Sequence, residues 1–148
     1  MSSEQVIKSS MVVYAFDSLI NRLNGQPSPP IPADFPTEPY PLFVTWKTSS
    51  NGYLRGCIGC FADLELGSGI QEYALTAALK DSRFPPVQMK EVTGLSCTVS
   101  LLTNFEDCSN AYDWNLQNHG IKIRFNSNGR NYSGTYLPQV ATEQGWNQ

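Results

Sequence analysis

Two cysteines stand three residues apart in LRGCIGCF, residues 54–61, and Arg55 lies two residues before the first of them, Cys57. A glycine precedes each cysteine. Such a group could hold a metal, form a redox-active disulfide, present one activated thiol, or build a tight strand. The choice depends on the element that carries it and on the polar residues elsewhere in the chain.

The spacing of the cysteines disfavours a disulfide and a metal site. In a strand, Cys57 and Cys60 point to opposite faces and lie too far apart for a disulfide, unless a tight turn at Gly59 brings them together. A zinc site needs a second close ligand pair, which Cys97 and Cys108 do not form. A thioredoxin-like pair opens a helix, whereas this pair closes a strand. We therefore predict no metal and no cofactor.

A single reactive thiol fits these residues better. Strand alternation puts Arg55 and Cys57 on one face, and a nearby cation favours the thiolate. Gly56 and Gly59 remove bulk beside the sulfur, which suits the approach of a ligand. The structural alternative is a buried cysteine in a strand with a bulge.

Four further polar residues could complete a site. Glu106 and His119 are the acid/base candidates, and Asp81 and Arg83 could bind substrate. Each also has a structural interpretation. Asp81 and Arg83 could pair with each other or cap a helix end, Glu106 could lie in a solvated turn, and a lone histidine is usually structural.

The bulk composition bounds the class of protein. The chain has 148 residues, enough for one domain with a sizeable core, and its net charge is −3. This charge gives no support to nucleic acid as a partner, and no apolar run is long enough to span a membrane. The first residues lack a signal-peptide pattern, which favours an intracellular, cytoplasmic location. The predicted partner is an unidentified small-molecule or protein ligand.

Periodicity in the first half of the chain predicts a helix, a connector and a hairpin. Apolar residues recur at helical spacing over 5–24, and seven prolines over 25–41 predict an extended connector. Alternating strands follow at 42–47 and 53–59, joined by a turn at Asn51-Gly52. A capping box of Ser68 and Gln71 then predicts a helix that runs to about Asp81.

Hairpin signals dominate the second half. Strands are predicted at 95–102 and 121–125, the latter with Ile121, Ile123 and Phe125 inward. A second hairpin turn stands at Asn128-Gly129, and Pro138 suits the start of a closing helix. About five strands and three helices predict an α+β fold with a mainly antiparallel sheet.

The longer motifs carry a resemblance. They are LRGCIG, YPLFVTWKT at 40–48, ALKDSRFPP at 78–86, SLLTNFED at 100–107, HGIKIRF at 119–125 and YLPQVATEQGW at 136–146. Over about residues 38–148 the chain resembles the AMMECR domain family, that of the protein from the Alport syndrome, midface hypoplasia and elliptocytosis deletion region. Cys60 stands where the family more often has threonine.

The resemblance implies a fold with a larger and a smaller lobe and the LRGCIG motif near the groove between them. It implies no assigned molecular activity. Residues 1–148 would be a single domain that contains the connector at 25–41. Because the family domain normally continues past the Gly-Trp stretch, and Trp146 lies close to the last residue, we expect a C-terminally truncated domain.

Two functions remain open. The leading hypothesis is an intracellular thiol-dependent enzyme that uses Cys57, with Arg55 as the stabilising cation, acting on a small or modified substrate in the groove near LRGCIG. The alternative is a non-catalytic protein-interaction or regulatory module that uses the same groove. Whether the chain is an enzyme is left open at this point.

Overall fold

The computed structural model describes residues 8–103, 105–115, 120–137 and 145. The chain divides into two compact units, Met1–Asn104 and Phe105–Gln148. In chain order the elements are α1 (Ser9–Leu23), β1 (Tyr40–Thr48), β2 (Leu54–Leu64), α2 (Leu66–Leu79), a 3-10 helix η1 (Met89–Gly94), β3 (Leu95–Leu101), β4 (Ile121–Ser127) and β5 (Arg130–Tyr136). These helices and antiparallel strands confirm the predicted α+β class.

The first unit contains a three-stranded antiparallel sheet in the order β2-β1-β3. Its central strand buries Leu42, Val44 and Trp46 completely, at alternate positions. These side chains share one core with buried residues of α1 and α2, and the indole N–H of Trp46 donates to the Ala74 carbonyl at 3.0 Å. The period of two in the sequence therefore marks the face that the helices cover.

The predicted turn joins β1 and β2. Gly52 has a φ of 71°, which a residue with a Cβ rarely adopts, and its N–H donates to the Thr48 carbonyl at 2.8 Å. The cross-strand partners that follow include Thr45 with Cys57. Because β1 occupies the centre of the sheet, β2 is an edge strand.

Residues 25–39 contain neither helix nor strand, yet side chains attach them to both helices. Tyr14 and Phe35 meet edge to face with ring centroids 5.4 Å apart. The Asn21 side-chain amide donates to the Pro27 carbonyl at 2.9 Å, and Gln71 hydrogen-bonds Ser28. Proline has no backbone N–H, so this segment cannot pair as a regular β-strand. Side chains of α1 and α2 hold it in place instead.

Two predicted boundaries differ from the structure. The capping box is wrong, because α2 begins at Leu66 with Glu65 as its N-cap, so that Leu66 is buried in the core. The return strand runs beyond Gly59 to Leu64. The 3-10 helix was not predicted, since six residues are too few to show a helical period.

The second unit contains the β4–β5 hairpin. Asn128 and Gly129 have φ values of 52° and 78°, as a tight hairpin turn requires, and the rings of Phe125 and Tyr132 stack 5.2 Å apart. The prediction that Ile123 and Phe125 are inward is wrong, because both are exposed. Alternation of apolar and polar residues predicts which side chains share a face of a strand, but it does not show that another element packs on that face of a two-stranded hairpin.

The ends of the chain carry two predictions that the structure leaves open. The closing helix from Pro138 lies outside the described residues, as do residues 5–7 of the predicted first helix. The helix itself begins at Ser9 and ends at Leu23. Across the described part of the chain, no helix is both long and apolar enough to cross a membrane.

Candidate functional site

Cys57 lies on the edge strand β2, and side chains satisfy both of its backbone hydrogen-bonding groups. Its N–H donates to Asp81 Oδ2 at 3.0 Å, and its carbonyl accepts from Arg83 Nη2 at 3.2 Å. A neighbouring strand would normally fill these two positions. We call Thr45, Cys57, Asp81 and Arg83 the Cys57 cluster.

Close packing of α2 on β2 brings Asp81 to this position. A Cβ at Gly56 would lie 2.0 Å from the Ala77 carbonyl oxygen, so only glycine allows the last turn of α2 to approach so closely. The helix ends at Leu79, and Asp81 follows two residues later. The contact between Asp81 and Cys57 therefore requires glycine at position 56 and the acid just after the end of α2.

Asp81 and Arg83 form an ion pair with two parallel hydrogen bonds. Arg83 Nε donates to Asp81 Oδ1 at 3.0 Å, and Nη2 donates to Oδ2 at 2.7 Å. These hydrogen bonds from Arg83 are the main reason that the pKa of Asp81 is lowered to about 2. The Asp81 side chain is 4% exposed and that of Arg83 is 56% exposed. The mutual pairing considered from the sequence is present, and the pair also contacts Cys57.

The Cys57 thiol is partly buried beside a buried hydroxyl. Its Sγ lies 3.1 Å from Thr45 Oγ1, and either atom could donate. Burial raises the pKa of the thiol, while the Thr45 hydrogen bond and the charges of Arg83 and Lys47 oppose that rise. Because burial is the largest cause, the thiol is protonated at neutral pH.

Arg55 contacts a different partner from the one expected. Its Nε and Nη2 donate to the two Glu91 carboxylate oxygens at 3.1 and 3.2 Å. The strand register shifts between Trp46 and Lys47, which places an irregularity at Arg55, and bulges commonly redirect a side chain. The arginine charge that acts on the pKa of the Cys57 thiol belongs to Arg83.

The acid/base candidates Glu106 and His119 stay predictions. Glu106 is an exposed residue of the second unit, and His119 lies outside the described residues. Three of the six candidates therefore meet in the first unit, Cys57 with Asp81 and Arg83. Thr45 and Glu91 were missed. Local signals identify neither residue, because a two-residue turn at Asn51-Gly52 would pair Cys57 with Trp46, whereas the observed register pairs it with Thr45.

The other cysteines form neither a disulfide nor a metal site in the part of the chain described. All four thiols are free, and Cys97 is buried enough that its pKa is raised to about 12. A search of the described residues finds no group of three or more potential His, Cys, Asp or Glu ligands. The disulfide between Cys57 and Cys60 that Gly59 might have permitted is not formed.

The fold and the Cys57 cluster define an α+β domain in which side chains fix one cysteine at a sheet edge. A family model described as AMMECR1 matches residues 12–148. The chain belongs to the AMMECR1 family, whose matched relatives are uncharacterized proteins.

Similar proteins occur in a plant, a yeast and an archaeon. An uncharacterized protein of Arabidopsis thaliana is 49% identical over 141 residues, covering 92% of this chain and 65% of that protein. One of Saccharomyces cerevisiae is 36% identical, covering 95% and 69%. The crystal structure of an uncharacterized protein from Pyrococcus horikoshii superposes with a TM-score of 0.79 at 29% identity, covering 93% of this chain and 72% of that one. The chain thus spans about two thirds of the Arabidopsis relative.

Proposed function

We propose that this chain is a non-catalytic binding module whose recognition site is the Cys57 cluster. The observation that carries the proposal is the fixation of Cys57 by Asp81 and Arg83, residues 24 and 26 positions away in the sequence. A site that is held in place before its ligand arrives loses less conformational entropy on binding. The thiol takes part as a protonated, polarisable contact.

A second candidate function is a thiol-dependent enzyme that acts on a small or modified substrate. Three interactions favour it, because the Thr45 hydroxyl, Arg83 and Lys47 all lower the pKa of the Cys57 thiol. Burial raises the pKa of the thiol and these three groups act to lower it, so a substrate that changed the exposure of the thiol would shift that pKa. In both functions the site is the same and the protonation state of the sulfur differs.

The proposed location is the cytoplasm, with the nucleus as the alternative. All four cysteines carry free thiols, which suits a compartment that keeps thiols reduced. Localisation of the tagged full-length protein by microscopy tests this proposal. Signal confined to the secretory pathway would contradict it.

The pH dependence of iodoacetamide alkylation at Cys57, followed by peptide mass spectrometry, tests the module against the enzyme. For the module we expect a rate that still rises above pH 9, since burial raises the thiol pKa. A plateau that begins below pH 8 would instead support the enzyme. Reaction only after unfolding in denaturant would overturn both, because Cys57 would then be a core residue.

A further inference from the structure

We propose that the ligand of the Cys57 cluster carries a carboxylate or phosphate group, and that Arg83 binds this group through Nη1. The inference rests on the proposed function, which it sharpens by naming the chemical class of the ligand. It assigns anion recognition to Arg83, outside the LRGCIG motif, rather than to Arg55, the arginine within the motif.

The hydrogen bonds of Arg83 leave one end of its guanidinium group available. Nε and Nη2 each donate a hydrogen bond to Asp81, and Nη2 donates a second one to the Cys57 carbonyl. No hydrogen bond joins Nη1 to any residue that the structure describes. A guanidinium group has five donors, and two of them belong to Nη1. An anion can therefore bind there without breaking the pair with Asp81.

Burial and geometry make this donor ready for a ligand. Asp81 is almost wholly buried, whereas more than half of the Arg83 side chain is exposed, so the pair has an inner carboxylate and an outer guanidinium. The Arg83 carbon Cζ also lies 5.5 Å from the centroid of the Phe84 ring, a cation–π distance. A long side chain that is already ordered loses little further entropy when it binds an anion.

The charges around the thiol also favour an anion. Arg83 and Lys47 act on Cys57 as positive charges, and Asp81 acts on it as a negative charge. Because Arg83 is exposed whereas Asp81 is buried, an anion that approaches the sulfur can reach the guanidinium group.

Arg55 is a poor alternative for this role. Its side chain is 12% exposed and pairs with Glu91 through two hydrogen bonds. Its Nη1 has no hydrogen-bond partner but is completely buried, so a ligand would have to unpack the site to reach it. Both arginines carry the same charge, but only Arg83 is exposed enough to bind an anion from solution.

Paired alkylation rates test the inference at Cys57 itself. Iodoacetate is anionic and iodoacetamide is neutral, so the ratio of their rates reports the charge felt by a reagent beside the sulfur. We expect Arg83→Gln to lower this ratio about fivefold, from one charge in a partly screened site. Arg83→Lys, the matched control, should keep the ratio within about twofold of the wild type.

A ratio that is unchanged in Arg83→Gln would overturn the anion inference and leave the proposed function standing. If Cys57 reacts with neither reagent in the folded protein, the proposed function fails, and an independent measurement decides the inference. Inorganic phosphate is then titrated while the Arg83 Nε–H signal is followed by NMR. A saturable shift of this signal and of the residue 83 backbone amide in the wild type, with no saturable shift of that backbone amide in Arg83→Gln, supports anion binding. No shift at any phosphate concentration refutes it.

Discussion

Two ion pairs support β2 on either side of Gly56, and they hold different parts of the strand. Arg55 and Glu91 join one side chain to another, which attaches η1 to the strand. Asp81 and Arg83 are close neighbours in the sequence, and together they hold the backbone of Cys57. A motif arginine thus supports the fold, whereas an arginine outside the motif lies beside the thiol.

Burial explains why the two pairs differ in chemistry. Glu91 accepts the Gln88 N–H at 2.7 Å as well as the Arg55 bonds, and the pKa of Glu91 is lowered by Gln88 first and then by Arg55. Its partner Arg55 is turned away from solvent. Arg83 is exposed, so of the two pairs only the second can bind a ligand in addition to its existing partners. The comparison teaches that a charged side chain can recognise a ligand only if it is both held in place and exposed to solvent.

Substitution of Gly56 should disturb both pairs and have the largest effect. In Gly56→Ala the new Cβ meets the Ala77 carbonyl at 2.0 Å, and neither backbone can yield without moving α2. We expect a loss of about 3 kcal/mol in unfolding free energy, measured by urea denaturation. Gly94→Ala is the matched control, since nothing lies within 4 Å of a Cβ there. Equal losses in the two variants would contradict the close packing.

Removal of Glu91 should break the first pair alone. Glu91→Ala leaves the buried Arg55 guanidinium without a counter-charge, which costs about 3 kcal/mol in a fully buried pair and about 2 kcal/mol here, since Glu91 is 33% exposed. Urea denaturation measures that loss. The iodoacetamide rate at Cys57 should stay within twofold of the wild type in native buffer. A large change in that rate would mean that Arg55 does act on the thiol.

Neutralisation of Asp81 should break the second pair and change the thiol. Asp81→Asn weakens the hold on Cys57 and costs about 2 kcal/mol. It also removes the negative charge that raises the pKa of Cys57, so we expect faster alkylation at a fixed pH near 8. A slower rate would show that the carboxylate activates the thiol. Glu91→Ala should leave the same rate nearly unchanged, so the alkylation rate at Cys57 distinguishes the two pairs.

Acid should weaken the second pair by a smaller amount. The pKa of folded Asp81 is about 2, below its ordinary value of 3.8, so its contribution is fully present above about pH 4 and is lost as pH falls through about 2. The contribution is about 1 to 2 kcal/mol, reduced by the exposure of Arg83. Urea denaturation between pH 5 and pH 2 should show this fall in the wild type. The same fall in Asp81→Asn would assign it to other carboxyl groups.

Local signals predicted the parts of the site that depend on neighbouring residues. Asn51-Gly52 and the alternation around it predict the hairpin that carries Cys57, and Asp81 with Arg83 already suggests a pair two residues apart. These inferences need only strand period and turn chemistry.

Contacts distant in the sequence could not be predicted in this way. Glu91 lies 36 residues from Arg55, and its approach depends on η1 and on the irregularity in β2. The contact of Asp81 with the Cys57 N–H depends on how closely α2 packs at Gly56. Tertiary packing sets both distances, and no periodicity in a single sequence encodes them.

Hydrogen exchange at the Cys57 amide tests the central claim most directly, because an edge-strand N–H is protected only if a side chain accepts it. We predict that this amide exchanges at least about tenfold more slowly in the wild type than in Asp81→Ala, which lacks the acceptor, after correction for global unfolding with the buried Val44 amide. Equal corrected rates in the two proteins would show that Asp81 does not hold Cys57, and the proposed site would lose its basis.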